Sequence, residues 1–109
     1  MAIETIENKK PNIKTTVTIF TPFSNACPHS GEPQVGSLIT VTYSPKDRLI
    51  GLRAIDEYLK ELAKGKEAMD LETVVQMVYM ECKQIGIDSI VRGMYKLRGG
   101  LEMVCECQS

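Results

Sequence analysis

The sequence has no surplus of charge of either sign, only one histidine, and no apolar run approaching the roughly 20 residues that cross a bilayer. Thirteen lysines and arginines against fourteen aspartates and glutamates leave a net charge of −1. No global basic field draws in a polyanion, so a nucleic-acid partner would need a local patch or one assembled between subunits. The opening residues, MAIETIENKKPNIK, contain no apolar segment of the secretory kind. A cytoplasmic protein with no membrane partner is expected. Internal repeats, low-complexity tracts and interdomain linkers are missing too. The 109 residues, 43% hydrophobic and 25% charged, read as one globular domain over residues 1–109, with 1–11 as a flexible N-terminus. A domain this small leaves much apolar surface uncovered, so a homo-oligomer is expected.

Four cysteines are present: Cys27, Cys82, Cys105 and Cys107. Without a secretory context they are expected as free thiols. Neither the C-x-H of Cys27 and His29 nor the C-x-C of Cys105 and Cys107 is a standard structural zinc spacing, so no metal is expected.

The apolar pattern reads strand, strand, helix, helix, strand, strand. Between Lys14 and Phe20, Val17 and Ile19 alternate with Thr16 and Thr18; Ser37, Ile39, Val41 and Tyr43 alternate with Leu38, Thr40 and Thr42. Period two and β-branched content mark both as half-buried strands. A turn follows over Ser44, Pro45, Lys46 and Asp47. Beyond Gly51 the period changes, since Ile55, Tyr58, Leu59 and Leu62 share one helical face that Gly65 can end. Asp70 is placed to cap a second helix with Val74, Val75, Val78 and Cys82 on its apolar face, stopping before Gly86. Two further strands, from about Asp88 to Leu97 and from Leu101 to Glu106, are joined by the hairpin turn Arg98-Gly99-Gly100. This order predicts an α+β fold: a four-stranded antiparallel sheet with two helices on one face. The other face mixes Thr, Arg, Lys and Glu with smaller apolar residues, which suits the lining of a barrel built from several copies.

Between the first two strands lies TPFSNACPHSGEPQV, Thr21 to Val35, with one cysteine, the single histidine and three prolines. Connections in compact domains are usually about four to six residues, so a loop this long is disordered or functional. Its prolines stiffen it. A cysteine held there beside His29 and Ser30 can be exposed and partly thiolate, the form that attacks electrophiles. Cys27 is therefore the candidate nucleophile.

The run Cys27-Pro28-His29-Ser30-Gly31-Glu32-Pro33 resembles the C-P-x-[TS]-G-x-P loop of the QueF family, the 7-cyano-7-deazaguanine nitrile reductases. Tyr43-Ser44-Pro45 is similar to the family's Y-x-P, Glu72 falls near its base-binding glutamate, and Arg98-Gly99-Gly100 matches its R-G-G hairpin. The resemblance covers about residues 20 to 107. It implies the tunnelling fold, a ββααββ unit that oligomerises into barrels with sites between subunits. GTP cyclohydrolase I shares that fold and resembles the chain at Leu49-Ile50-Gly51-Leu52.

The departures carry information as well. Seven residues after the loop cysteine the reductases place an aspartate that protonates the nitrile nitrogen; here the ungapped position is Gln34. Their nicotinamide cofactor is bound by a helix start of the form E-S-K-S-x-K-x-Y, where this chain has Gly51-Leu52-Arg53-Ala54-Ile55-Asp56-Glu57-Tyr58. Only Arg53 and Tyr58 survive in kind. Asp56 and Glu57 stand where a phosphate-binding cation is wanted, which disfavours NADPH. The family's histidine before the glutamate is Leu71. The zinc-binding C-E-H-H of GTP cyclohydrolase I is reduced to Cys27, Pro28, His29 and Ser30, and its later ligand cysteine to Met94.

By resemblance, a base pocket and a cysteine without hydride chemistry point to the short archaeal QueF-like archaeosine synthases, amidinotransferases that modify tRNA. Cys27 would add to the nitrile of 7-cyano-7-deazaguanine to give a thioimide, and ammonia or another amine donor would displace the thiol to leave the formamidine. Glu72 would accept hydrogen bonds from the ring N–H and the exocyclic amine, with Ser30 and Arg98 as further substrate contacts. His29, or else Glu32, would supply the proton. No cofactor is expected on this reading. Two alternatives stay open: the NADPH-dependent reductase of queuosine biosynthesis acting on the free base, and a degenerate or pterin-type member that binds a purine-like ligand.

Overall fold

The computed structural model describes residues 2–26, 30–65 and 70–109. Its elements run β1 (Thr5–Glu7), β2 (Val17–Pro22), β3 (Leu38–Tyr43), β4 (Arg48–Ile50), α1 (Ala54–Ala63), α2 (Leu71–Gln84), β5 (Ser89–Lys96) and β6 (Glu102–Cys107). The expected α+β order is present: a four-stranded antiparallel sheet of order β2-β3-β5-β6.

Strand alternation divides that sheet into two faces. Ile39, Val41 and Tyr43 of β3 and Val91 and Tyr95 of β5 point inward and are buried. The helices fill the same side with Ile55, Tyr58 and Leu59 of α1 and Val74, Val75, Val78 and Cys82 of α2. Burial at the helical spacing predicted from the sequence is what fixes both helices, since short helices draw most of their stability from packing an apolar face. Asp70 caps α2 by accepting the Thr73 N–H at 2.8 Å. The outward face carries Phe20, Ile90 and Val104, which are 64%, 39% and 57% exposed, beside polar pairs such as Arg92–Glu106 at 3.2 Å.

Residues 1–11, expected to be a flexible tail, behave differently where they are described. Thr5–Glu7 pairs antiparallel with β4, and Ile3 is buried. The attachment is made by the backbone and by two side chains. Arg48 donates from Nε to Thr5 Oγ1 at 3.1 Å and from Nη2 to Thr5 O at 2.9 Å, and the Gly51 N–H donates to Glu4 O at 3.0 Å. The Tyr43 hydroxyl accepts the Ile50 N–H at 2.8 Å, which ties β4 to the main sheet.

At the opposite end, β5 and β6 meet through one 3-10 turn, Arg98–Gly100. Gly99 and Gly100 both take positive φ, 73° and 76°, a conformation that side chains resist, which explains why the turn is built of glycine.

No helix among the described residues is long and apolar enough to cross a membrane.

Candidate functional site

The long loop leaves β2 at Phe23 and rejoins the sheet at Ser37. Cys27 and His29, the expected nucleophile and proton donor, lie outside the described residues. The two arms around them are well fastened. Phe23 N–H donates to Ser37 O at 3.1 Å and Asn25 N–H to Pro33 O at 2.8 Å, so the loop is closed at its neck. Pro33 is fully buried. The returning arm is then stitched to the end of β5: Gln34 N–H donates to Lys96 O at 2.7 Å, and Lys96 N–H donates to Ser37 Oγ at 2.8 Å. That hydroxyl in turn donates to Gln34 O at 2.8 Å. Backbone groups that would otherwise lack partners in a loop are satisfied by a neighbouring strand end.

Ser30 and Arg98, both expected as substrate contacts, are brought together here. The Arg98 guanidinium donates from Nη2 to Ser30 O. The Arg98 backbone N–H donates to Glu32 Oε1 at 2.9 Å, and Ser30 Oγ accepts the Glu32 N–H at 3.2 Å. The spacing C-P-x-S-G-x-P thus places its serine and glutamate on the hairpin turn, 68 and 66 residues away in sequence.

Glu72 sits at the same end of the sheet, on its helix side. It occupies the first turn of α2 and is exposed. Its position is set by Tyr95, whose hydroxyl donates to Leu71 O at 2.9 Å and whose ring, 1% exposed, lies over Gly93. A Cβ at Gly93 would come within 2.6 Å of Tyr95 Cζ, so only glycine leaves room for the ring. Burial raises the Tyr95 phenol above its ordinary range, so it acts as a neutral donor. Cys105 faces the same corner. Burial first and the nearby Glu72 carboxylate second push its thiol up, so it is not an activated nucleophile. Cys82 is wholly buried, and burial pushes its thiol up to about 11. Neither competes with Cys27 for that role. Among the described residues, which exclude Cys27 and His29, no three His, Cys, Asp or Glu side chains group as a metal site.

The start of α1 is the place to test for a phosphate-bearing cofactor. Tyr58, one of the two residues matching in kind, is 4% exposed, donates to Met77 O at 3.5 Å, and has its phenol pushed up to about 12 by burial and then by Glu81. It belongs to the core. Arg53 is the exposed N-cap residue and makes no side-chain capping bond. Asp56 and Glu57 occupy the first turn, and Asp56 pairs with Lys60 at 2.9 Å. One arginine beside two carboxylates does not fit the phosphates of a dinucleotide.

An α+β unit with a cysteine-bearing loop and a helix-N-terminal carboxylate at one end of an antiparallel sheet is the class defined so far. No family model matches the chain. It does match curated reductases. It is 38% identical over 60 residues, 54% of this chain and 51% of the relative, to the NADPH-dependent 7-cyano-7-deazaguanine reductase of Chlorobium chlorochromatii (strain CaD3). Identity and coverage are the same for the protein of that name from Chlorobaculum parvum (strain DSM 263 / NCIMB 8327). A third, from Chloroherpeton thalassium (strain ATCC 35110 / GB-78), is 37% identical over the same length and shares. The chain spans about half the length of the curated relatives it matches. Over that half, the chain is similar to reductases of this name. These matches also correct one expectation. The absence of a cofactor, argued from Asp56 and Glu57, is contradicted by relatives whose names specify NADPH. The expectation rested on the first turn of α1 alone, where Asp56 and Glu57 stand.

Proposed function

We propose that the protein acts on the nitrile of 7-cyano-7-deazaguanine as an NADPH-dependent reductase. The observation that carries this reading is the 37–38% identity to three reductases of that name. The amidine-forming tRNA enzyme is the less well supported branch, because those relatives are reductases.

On this reading the Cys27 thiolate attacks the nitrile carbon. A carbon–sulfur bond forms, one π bond of the nitrile opens, and a proton reaches the nitrogen to give a neutral thioimide. No electrons are gained or lost in that step, so it precedes any need for a reductant. His29 is the proton donor proposed, with Glu32 left to another task described below. The exposed Glu72 carboxylate accepts from the two donor groups on the guanine-like edge, helped by its place at the positive end of α2. NADPH is the reductant that the relatives' names supply. The first turn of α1 does not carry its phosphates, so the cations that do are sought elsewhere.

We further propose that residues 1–109 form one tunnelling-fold unit whose copies assemble into a barrel. The sheet order β2-β3-β5-β6 and the exposed Phe20, Ile90 and Val104 on the outer face support this, since a second layer of protein would cover them.

Intact mass after incubation with 7-cyano-7-deazaguanine tests the covalent step. An added mass equal to the whole nitrile, absent in Cys27→Ala, is expected. Nitrile-dependent NADPH oxidation is expected next. Amidine formed on modified tRNA with ammonium and without NADPH consumption would move the protein to the amidine-forming branch, and no adduct at all would overturn the reading.

A further inference from the structure

We infer that Glu32 and Arg98 are positioning residues: a two-way latch between the loop and the β5–β6 turn that sets the reactivity of the Cys27 thiol. This rests on the reading of Cys27 as the nucleophile.

The geometry is reciprocal. The loop's carboxylate accepts the first N–H of the turn at 2.9 Å, while the turn's guanidinium reaches back to the carbonyl of Ser30. Both partners are charged, and hydrogen bonds to charged groups are about twice as strong as neutral ones. Glu32 is half-buried and also folds its own N–H onto Ser30 Oγ at 3.2 Å, so residues 30 and 32 move as one piece. The turn is closed at its base, where Leu97 N–H donates to Leu101 O at 2.8 Å. The latch therefore ties the arm that begins three residues after Cys27 to the hairpin. Misplacing a reacting group by about 1 Å can cost about 100-fold in rate, so an anchor at this distance matters to a covalent step. It also explains why the motif needs an arginine in its hairpin even though that side chain is turned toward the protein.

The test uses the full chain. Glu32→Ala removes the acceptor; Arg98→Lys keeps the turn's N–H but loses the guanidinium geometry; Glu32→Gln keeps an acceptor oxygen. At saturating 7-cyano-7-deazaguanine the first two should slow adduct formation about 10-fold or more, with the dissociation constant unchanged within about twofold, while Glu32→Gln stays within about threefold of the parent. The double change Glu32→Ala, Arg98→Lys should cost no more than the worse single one, because both act through one element. Two readouts need no nitrile: amide hydrogen exchange at Gln34 and Arg98 should accelerate about 10-fold in Glu32→Ala, and the rate at which iodoacetamide alkylates Cys27 should shift about threefold or more. If the parent forms no nitrile adduct, the functional reading fails while exchange and alkylation still judge the latch. Parent-like exchange and alkylation in both Glu32→Ala and Arg98→Lys would overturn it, as would a loss of affinity with an unchanged adduct-forming rate.

Discussion

Replacing Gly93 by alanine should destabilise the protein through one ring. The added methyl would lie 2.6 Å from Tyr95 Cζ and 2.7 Å from both Cε2 and Oη. Carbon atoms settle at about 3.5–4.0 Å, so the ring has to retreat by about 1 Å. It has nowhere to go, being 1% exposed between the sheet and α2. Overpacking of this kind costs about 1–3 kcal/mol. Retreat also breaks the bond from the hydroxyl to Leu71 O, now 2.9 Å, for a further loss of about 0.5–1.5 kcal/mol. The total is about 2–4 kcal/mol, equivalent to a fall in Tm of about 10 °C or more for a domain of this size. Urea unfolding measures it. Tyr95→Phe separates the two parts, because it forfeits the hydroxyl alone and should cost only about 1 kcal/mol. The same movement frees the start of α2, so Gly93→Ala should also weaken binding of 7-cyano-7-deazaguanine through Glu72. A midpoint in Gly93→Ala equal to that of the parent would refute the packing argument.

Gln34→Asp supplies the acid that the resemblance to the reductases implies at this position. Gln34 is held through its backbone to Lys96 and Ser37, so the fold should tolerate the change; adduct formation should accelerate, and an unchanged rate would show that the proton comes from another group. Asp70 is held below the usual carboxylate range by its bonds to Thr73. Its contribution is complete above the unfolded-state value and is lost as pH falls through the folded one, so Asp70→Ala should flatten the acid limb of a stability-versus-pH curve; an unaltered limb would count against the cap. Burial pushes the Cys82 thiol up to about 11, so the folded state holds it protonated. Stability it confers is present below the unfolded thiol's value and declines as pH rises above it, so Cys82→Ala should weaken the alkaline dependence. Native alkylation at pH near 8 should leave Cys82 unmodified until the chain unfolds.

The main sheet and both helices were legible because their patterns are long. Six to eight residues of alternation in β2, β3 and β5, and a capped 14-residue apolar stripe in α2, each repeat a period several times. The pairing of β1 with β4 was not, since three residues of Thr-Ile-Glu meet three of Arg-Leu-Ile, too few to show a period, and much of their attachment is backbone. Tyr58 matches the family's cofactor-binding helix start in kind, but its spacing from Ile55 and Leu62 already places it on the buried face of α1. Ser30 and Arg98 meet each other, a contact that spans 68 residues and is invisible to local pattern. Glu32 was weighed only as a proton donor because nothing in the loop's own sequence reveals a partner in the hairpin. The cofactor expectation rested on the first turn of α1 alone and is overturned by relatives whose names specify NADPH.

On the reading proposed above, a thiol at position 27 captures the nitrile carbon of 7-cyano-7-deazaguanine. Intact mass spectrometry of the protein mixed with that compound tests it directly. The expected result is a shift equal to the full mass of the nitrile, mapped to Cys27, missing in Cys27→Ala, and consumed when NADPH is added. An unshifted mass, or a shift that persists in Cys27→Ala, would contradict it.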